Sequence, residues 1–309
     1  MIAALFLAAV IPSIFTSESP TNATDLVKAG IKRVYVPAAN IGQWKSSGIE
    51  AVPDSELKDY TNIPAPGMKM RADRAAATSI PWVDSNGWRY RRGVKRAYYS
   101  NLMAGAAPLA AAEAYAYGAE AVLAPDRADT TATAAMLRFL QSIPPVDLPA
   151  VANIGVVDDG SALLGEVLNL LTRRNLLYRI VPQKDPKLEL NVELGSEQFP
   201  KASAANPSDF AARVREKLSD EKRSLRVYNT STVIGYLTGS GPRVRLHLLN
   251  YARRPAKDVH IRILGAYSKV RLLDSADAQM QAMDVSNHRG GTEFRVPSLQ
   301  TYTVVDLEK

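Results

Sequence analysis

From Ser224 to the C-terminus the apolar residues recur at every second position, and that change of period divides the chain. Val259, Ile261 and Ile263 alternate with His260 and Arg262, the pattern of an extended strand with one apolar face and one polar face. Seven such runs, at 225–228, 232–238, 244–251, 259–264, 269–273, 292–296 and 301–307, are separated by turn formers and predict a β-sandwich over residues 224–309. Before Ser224 short apolar runs alternate with stretches of helical spacing, which predicts α/β structure followed by all-β structure.

The 309 residues are 46% hydrophobic and 22% charged, a globular composition with room for more than one core. An apolar run at 2–15 is too short for an ordinary membrane span and reads as the core of a signal peptide, with the leader extending to residue 24. A buried first strand or helix in a chain that starts further upstream is the other reading. Export predicts a secreted or periplasmic, bacterial protein with no membrane span in its mature form; with no cysteine, its fold rests on core size and not on disulfides.

Residues 25–145 form the first α/β region, with strands expected at 32–36, 49–52, 80–83, 96–100 and 121–124 and the clearest helices at 106–117 and 131–141. Residues 146–223 read as a flavodoxin-like α/β domain. Ile154-Gly155-Val156-Val157 is a buried strand, Asp158-Asp159-Gly160-Ser161 a turn, 163–174 an amphipathic helix and 176–181 the next strand. Asn206-Pro207 caps a further helix. The glycines here have neither dinucleotide-binding nor P-loop spacing, so no cofactor is expected.

The scarce residues restrict the chemistry. The absence of cysteine excludes thiolate nucleophiles and sulfur-ligated zinc. The histidines are His247, His260 and His288, all within the β-rich part and scattered along it, so no metal site is expected and the α/β part has no histidine for acid–base work. Much of the net charge of +7 lies between Met68 and Arg96, where eight Lys and Arg oppose Asp73 and Asp84, 8 − 2 = +6. Interleaved with Trp82, Trp88, Tyr90, Tyr98 and Tyr99, this segment reads as a solvated arginine-rich loop or a site for an anionic glycan. Nucleic acid ranks last, because no helix-turn-helix, RRM or KH signature accompanies it.

The order of parts, with Val244-Arg245-Leu246-His247-Leu248-Leu249-Asn250-Tyr251, Val296-Pro297, Tyr302-Thr303-Val304-Val305 and the helix Ala111-Ala112-Glu113-Ala114-Tyr115-Ala116-Tyr117-Gly118-Ala119, resembles glycoside hydrolases of the barrel-type β-galactosidase architecture. Those combine a (β/α)-barrel, an amidotransferase-like trimerisation domain and a C-terminal β-sandwich. The resemblance implies a carbohydrate as substrate or ligand and a homotrimer as the assembly. A full barrel takes about 250 residues, so residues 25–145 hold at most a reduced or partial barrel, and a non-catalytic carbohydrate-binding or assembly module derived from such an enzyme is the alternative.

Glycoside hydrolysis needs two carboxyl groups and favours aromatic platforms for sugar faces. Asp84 follows the expected strand at 80–83 and Asp126 the strand at 121–124, the strand-end positions at which barrels carry their functional groups. These two are the expected catalytic pair. Trp82 and Trp88 are expected to stack on sugar, with Asn86, Arg89, Tyr99 and Asp158 as further substrate contacts. Against this stands a plainer reading in which Asp84-Ser85-Asn86-Gly87 is a turn, the tryptophans are core, and Asp158 and Asp159 belong to a turn that wants an Asp or Ser cap for the helix after it.

Overall fold

The computed structural model describes residues 10–20, 23–28, 30–69 and 82–309. In chain order the α/β part comprises β1 (Ser13–Phe15), α1 (Ala23–Lys28), β2 (Arg33–Val36), α2 (Ile41–Trp44), β3 (Glu50–Pro53), β4 (Thr61–Asn62), β5 (Gly67–Lys69), β6 (Trp82–Asp84), α3 (Gly87–Arg91), β7 (Arg96–Tyr99), α4 (Ala107–Ala116), β8 (Glu120–Leu123) and α5 (Thr130–Ser142). Then come β9 (Ile154–Val157), α6 (Ala162–Arg173), β10 (Tyr178–Val181), β11 (Leu190–Val192) and α7 (Pro207–Leu218). The β-rich part contains β12 (Leu225–Tyr228), β13 (Val233–Ser240), β14 (Arg243–Asn250), β15 (Ala256–Leu264), β16 (Lys269–Asp274), β17 (Met283–His288), β18 (Gly291–Leu299) and β19 (Tyr302–Glu308).

Two compact units result, one from residues 1–67 and 93–147, the other from 68–92 and 148–309. The first holds a six-stranded sheet in the order β3-β2-β1-β8-β7-β4, parallel throughout. Strands β1, β2 and β3 lie side by side in sequence order, as do β4, β7 and β8, and the last, β8, lies beside the first. Its central strands are apolar on both faces, as parallel strands between helices require: Val34 and Val36 in β2 and Ala121, Val122 and Leu123 in β8 are all buried. The alanines of α4 are buried.

Ser13–Phe15, the end of the apolar run at 2–15, is an interior strand of this sheet, with Ile14 opposite Val34 on one side and Leu123 on the other. The strand expected at 80–83 is observed as Trp82–Asp84, paired with β5 and grouped with the second unit and not with the parallel sheet. Residues 80 and 81 lie outside the described residues, as do Arg71, Asp73 and Arg74 of the basic segment and residues 2–9 of the apolar run.

The second unit contains a three-stranded parallel sheet, β10-β9-β11, covered by α6 and α7. Ile154, Val156, Leu164, Val167, Leu168, Leu171, Phe210 and Val214 share its core. Ser161 caps α6 through its hydroxyl, which accepts from the Leu164 N–H at 3.1 Å, and Asn206 caps α7 through Asp209 N–H. The β-rich part consists of two four-stranded antiparallel sheets, β12-β15-β18-β17 and β13-β14-β19-β16. Val259, Ile261, Phe294 and Val296 from one and Leu237, Leu246, Leu248, Val305 and Leu307 from the other form one core between them. Eight strands stand where seven runs were expected; the additional one is β17, exposed along its whole length.

Candidate functional site

The expected site residues of the second unit gather on β6, α3 and the turn after β9. Helix α3 lies against α6, where Gly165 provides the space: a Cβ there would stand 3.1 Å from the Trp88 ring and 3.0 Å from Arg92 Nη1. Trp82 and Trp88 both pack on the core of the parallel sheet. The Arg89 guanidinium stacks on Trp88 at 4.3 Å from the ring centroid and that of Arg173 on Trp82 at 4.1 Å. Each tryptophan therefore presents one face to a cation of the chain itself.

The arginine-rich segment is absorbed in the same way. Arg91 stacks between Tyr178 and Tyr236, at 4.7 and 5.0 Å, and donates to the Tyr178 carbonyl. Arg92 donates to both carboxylate oxygens of Asp158, at 2.9 and 2.8 Å, and to the Ser161 carbonyl at 3.0 Å. Lys69 pairs with Asp84. In the first unit Arg96 stacks on Tyr60 at 4.3 Å and pairs with Glu120. Burial, followed by hydrogen bonding to Glu120, pushes the Tyr60 hydroxyl well above the usual tyrosine range. Of the described cations of the +6 segment, Arg89, Arg91, Arg92 and Arg96 each meet a ring or a carboxylate of the chain, while Lys69 and Lys95 are exposed.

Asp84 ends β6 beside Lys69. The buried Ser85 hydroxyl meets the Tyr251 hydroxyl at 2.9 Å and accepts from Gly87 N–H at 3.1 Å. Asn86 is buried, its side-chain oxygen accepts from Arg89 at 3.0 Å, and its carbonyl accepts from the N–H groups of Arg89 and Tyr90. Asp84 thus closes β6 and Gly87 opens α3, with Ser85 and Asn86 making the connection. Asp158 likewise closes its own turn, accepting Gly160 N–H at 2.9 Å besides its two bonds from Arg92. Asp159 accepts Ser161 N–H at 2.9 Å, and its bonding to Ser161 holds its carboxyl below the usual carboxylate range.

Asp126 and Tyr99 belong to the first unit, Asp84 to the second, so neither unit by itself contains the expected pair. Asp126 is exposed and caps a short 3-10 turn, accepting Ala128 N–H at 2.8 Å. Tyr99, expected at a sugar, is instead a core residue: it is wholly buried and donates to the buried carboxylate of Glu113 at 3.1 Å. Its hydroxyl has no face on which a ligand from solvent could rest.

Sequence reading missed three groups that organise these regions. Asp129 is buried and accepts Gly105 N–H through both oxygens, at 2.7 and 2.8 Å, anchoring the start of α4. Ser85 and Tyr251 join positions 166 residues apart. Asn250, read as part of a strand-end motif, donates to the carbonyls of Arg254, Leu299 and Gln300 and accepts from the Thr232 hydroxyl and Ala252 N–H. No local pattern distinguishes such an asparagine from an exposed one.

Comparison with solved structures places the architecture. The α-L-fucosidase isoenzyme 2 of Paenibacillus thiaminolyticus matches over 69% of this chain and 60% of its own, with 10% identity and a TM-score of 0.51. The likeness is one of fold. This chain spans about three fifths of the fucosidase's length. Two β-galactosidases align less well: one from Bacillus circulans sp. alkalophilus, at 9% identity over 89% of this chain and 63% of its own, and a catalytic mutant of a GH42 enzyme from G. stearothermophilus, at 8% over 80% and 53%, both with a TM-score of 0.40. No family model and no curated protein matches the chain. The fold is glycoside-hydrolase-like at a coarse level: a parallel α/β region followed by antiparallel β-sheets.

Proposed function

We propose that this chain is an exported, glycoside-hydrolase-like protein that acts on or recognises an oligo- or polysaccharide. The observation that carries the reading is the fold it shares with the fucosidase over 69% of its length. The order of the parallel strands, with β8 beside β1 and the edges at β3 and β4, fits such an ancestry as a reduced barrel opened between those two edge strands. Catalysis on this reading rests with Asp84 and Asp126, and sugar contact with Trp82, Trp88, Asn86, Arg89 and Asp158.

A second reading, recognition without turnover, is favoured by the ion pairs. Asp84 is held by Lys69 and Asp158 by Arg92, so each carboxylate is engaged by a cation of the chain. The two readings separate when the purified chain is incubated with neutral and acidic oligosaccharides and analysed by mass spectrometry. Cleavage that Asp84→Asn and Asp126→Asn each abolish, with folding intact, establishes the enzyme and its pair. Cleavage surviving in both variants removes the pair, complexes without cleavage establish the binding module, and neither products nor complexes refutes the carbohydrate reading.

A further inference from the structure

The outer face of the sheet β12-β15-β18-β17 carries an open groove of about 460 Å³, bordered by Tyr228, His260, Asp284, Ser286, Glu293 and Arg295. The strand segments at Ile261 and Phe294 form its floor, with their side chains turned into the sandwich core. Strand pairing sets the wall groups in rows: Tyr228 lies opposite His260 and His260 opposite Arg295, while Glu293 lies opposite both Arg262 and Ser286. An aromatic ring, an imidazole, a guanidinium, a carboxylate and a hydroxyl thus stand on one rigid surface.

The backbone is bent to hold this arrangement. Six non-glycine residues among those described have positive φ, and four of them, Asn229, Asp258, Asp284 and Arg289, lie in or beside this sheet. Asp258 and Asp284, at φ 51° and 54°, are the two residues whose carboxylates grip Arg295, the second at 2.8 Å. Their side chains are 54% and 69% exposed, and ion pairs so exposed add little to stability. Two strained positions spent on orienting one guanidinium point to a binding role, since strain persists where surrounding structure and function require it.

The charges in and around the groove cancel, Asp258, Asp284 and Glu293 against Arg226, Arg262 and Arg295; Arg226 donates to the Tyr228 hydroxyl at 3.0 Å, and the other five are paired among themselves. A strongly charged polymer finds no opposing field there. A neutral polyol does find what it needs: fixed donors and acceptors for its hydroxyls, and Tyr228, 40% exposed, for the apolar face of its ring. We infer that this groove is a binding site for a neutral oligosaccharide, with Tyr228 as the platform and the oriented Arg295 guanidinium, Glu293 and His260 as hydroxyl partners. The inference rests on the carbohydrate reading above and assigns it a site separate from Asp84 and Asp126.

The test is calorimetric titration of the full chain with neutral galacto-, xylo-, gluco- and fuco-oligosaccharides and, for contrast, with oligogalacturonate. The expected result is binding of a neutral sugar that high salt leaves unchanged and that Tyr228→Ala and Arg295→Met each weaken by about tenfold or more, with melting temperatures unaltered. Undiminished binding in both variants overturns this site and leaves the carbohydrate reading standing. Binding of oligogalacturonate alone, abolished by salt, also overturns the site, and binding of no sugar overturns both. If either variant melts lower, Tyr228→Trp, which keeps the platform, must retain binding, and its loss there counts against the proposal.

Discussion

Burial, aided by the nearby Arg245 charge, holds the His247 ring neutral down to about pH 3, with its Nδ1 2.6 Å from the Tyr302 hydroxyl. In the unfolded chain the same ring takes up a proton near pH 6.5. Between these values the unfolded state binds more protons than the folded one, so stability is lost as pH falls, by up to about 1.4 kcal/mol per pH unit from this group alone. His247→Gln is expected to be less stable near neutral pH and to show a flatter decline from pH 6.5 downwards, measured by urea denaturation across that range; an unchanged slope would exclude His247 as the source. Tyr251→Phe removes the buried hydroxyl contact with Ser85 and is expected to cost about 1 kcal/mol, read as a lower denaturation midpoint.

At the level of elements, β9 is crossed closely by its neighbours. A Cβ on Gly155 would stand 2.6 Å from Asn191 Oδ1, which cannot move away without losing its bond from Asp185 N–H at 2.8 Å. Gly155→Ala is expected to destabilise the protein by about 1–3 kcal/mol, measured by thermal or chemical unfolding, although alanine ordinarily suits a strand better than glycine. Strand β1 supplies a different test. It has partners on both edges, so deletion of residues 1–15 exposes two rows of backbone groups, and the first unit is expected to lose its cooperative melting transition. An unchanged transition would show that the strand is expendable. Most elements were legible because their periods are local: β9, β12, α6 and the Asn206 cap are observed within a residue or two of the sequence reading. Strand β17 was not legible, because all six of its residues are exposed and its register shifts between Met283 and Ser286, so neither face alternates.

For the whole molecule, the homotrimer implied by the sequence resemblance is a proposal, tested by light scattering coupled to gel filtration, with three times 33.6 kDa as the expected mass. A monomer would refute that expectation without touching the carbohydrate reading. The net charge of +7 is not evidence for a polyanion site by itself. Arg89, Arg91, Arg92 and Arg96, four of the cations that make the basic segment conspicuous, each meet an aromatic ring or a carboxylate of the chain.

The sequence by itself determined the succession of α/β and β structure, because periods of 3.6 and 2 record which face of each element is buried, and it excluded thiol and histidine chemistry from the α/β part by composition. It could not determine which cation meets which ring, that Asp84 faces Lys69, that Tyr99 lies in the core, or that Asp258 and Asp284 converge on Arg295. Apart from Arg89 on its neighbour Trp88, those pairings join positions well apart in the chain, and the distance between two such side chains depends on how sheets and helices stack, which no local pattern encodes. Only the tertiary structure decided them.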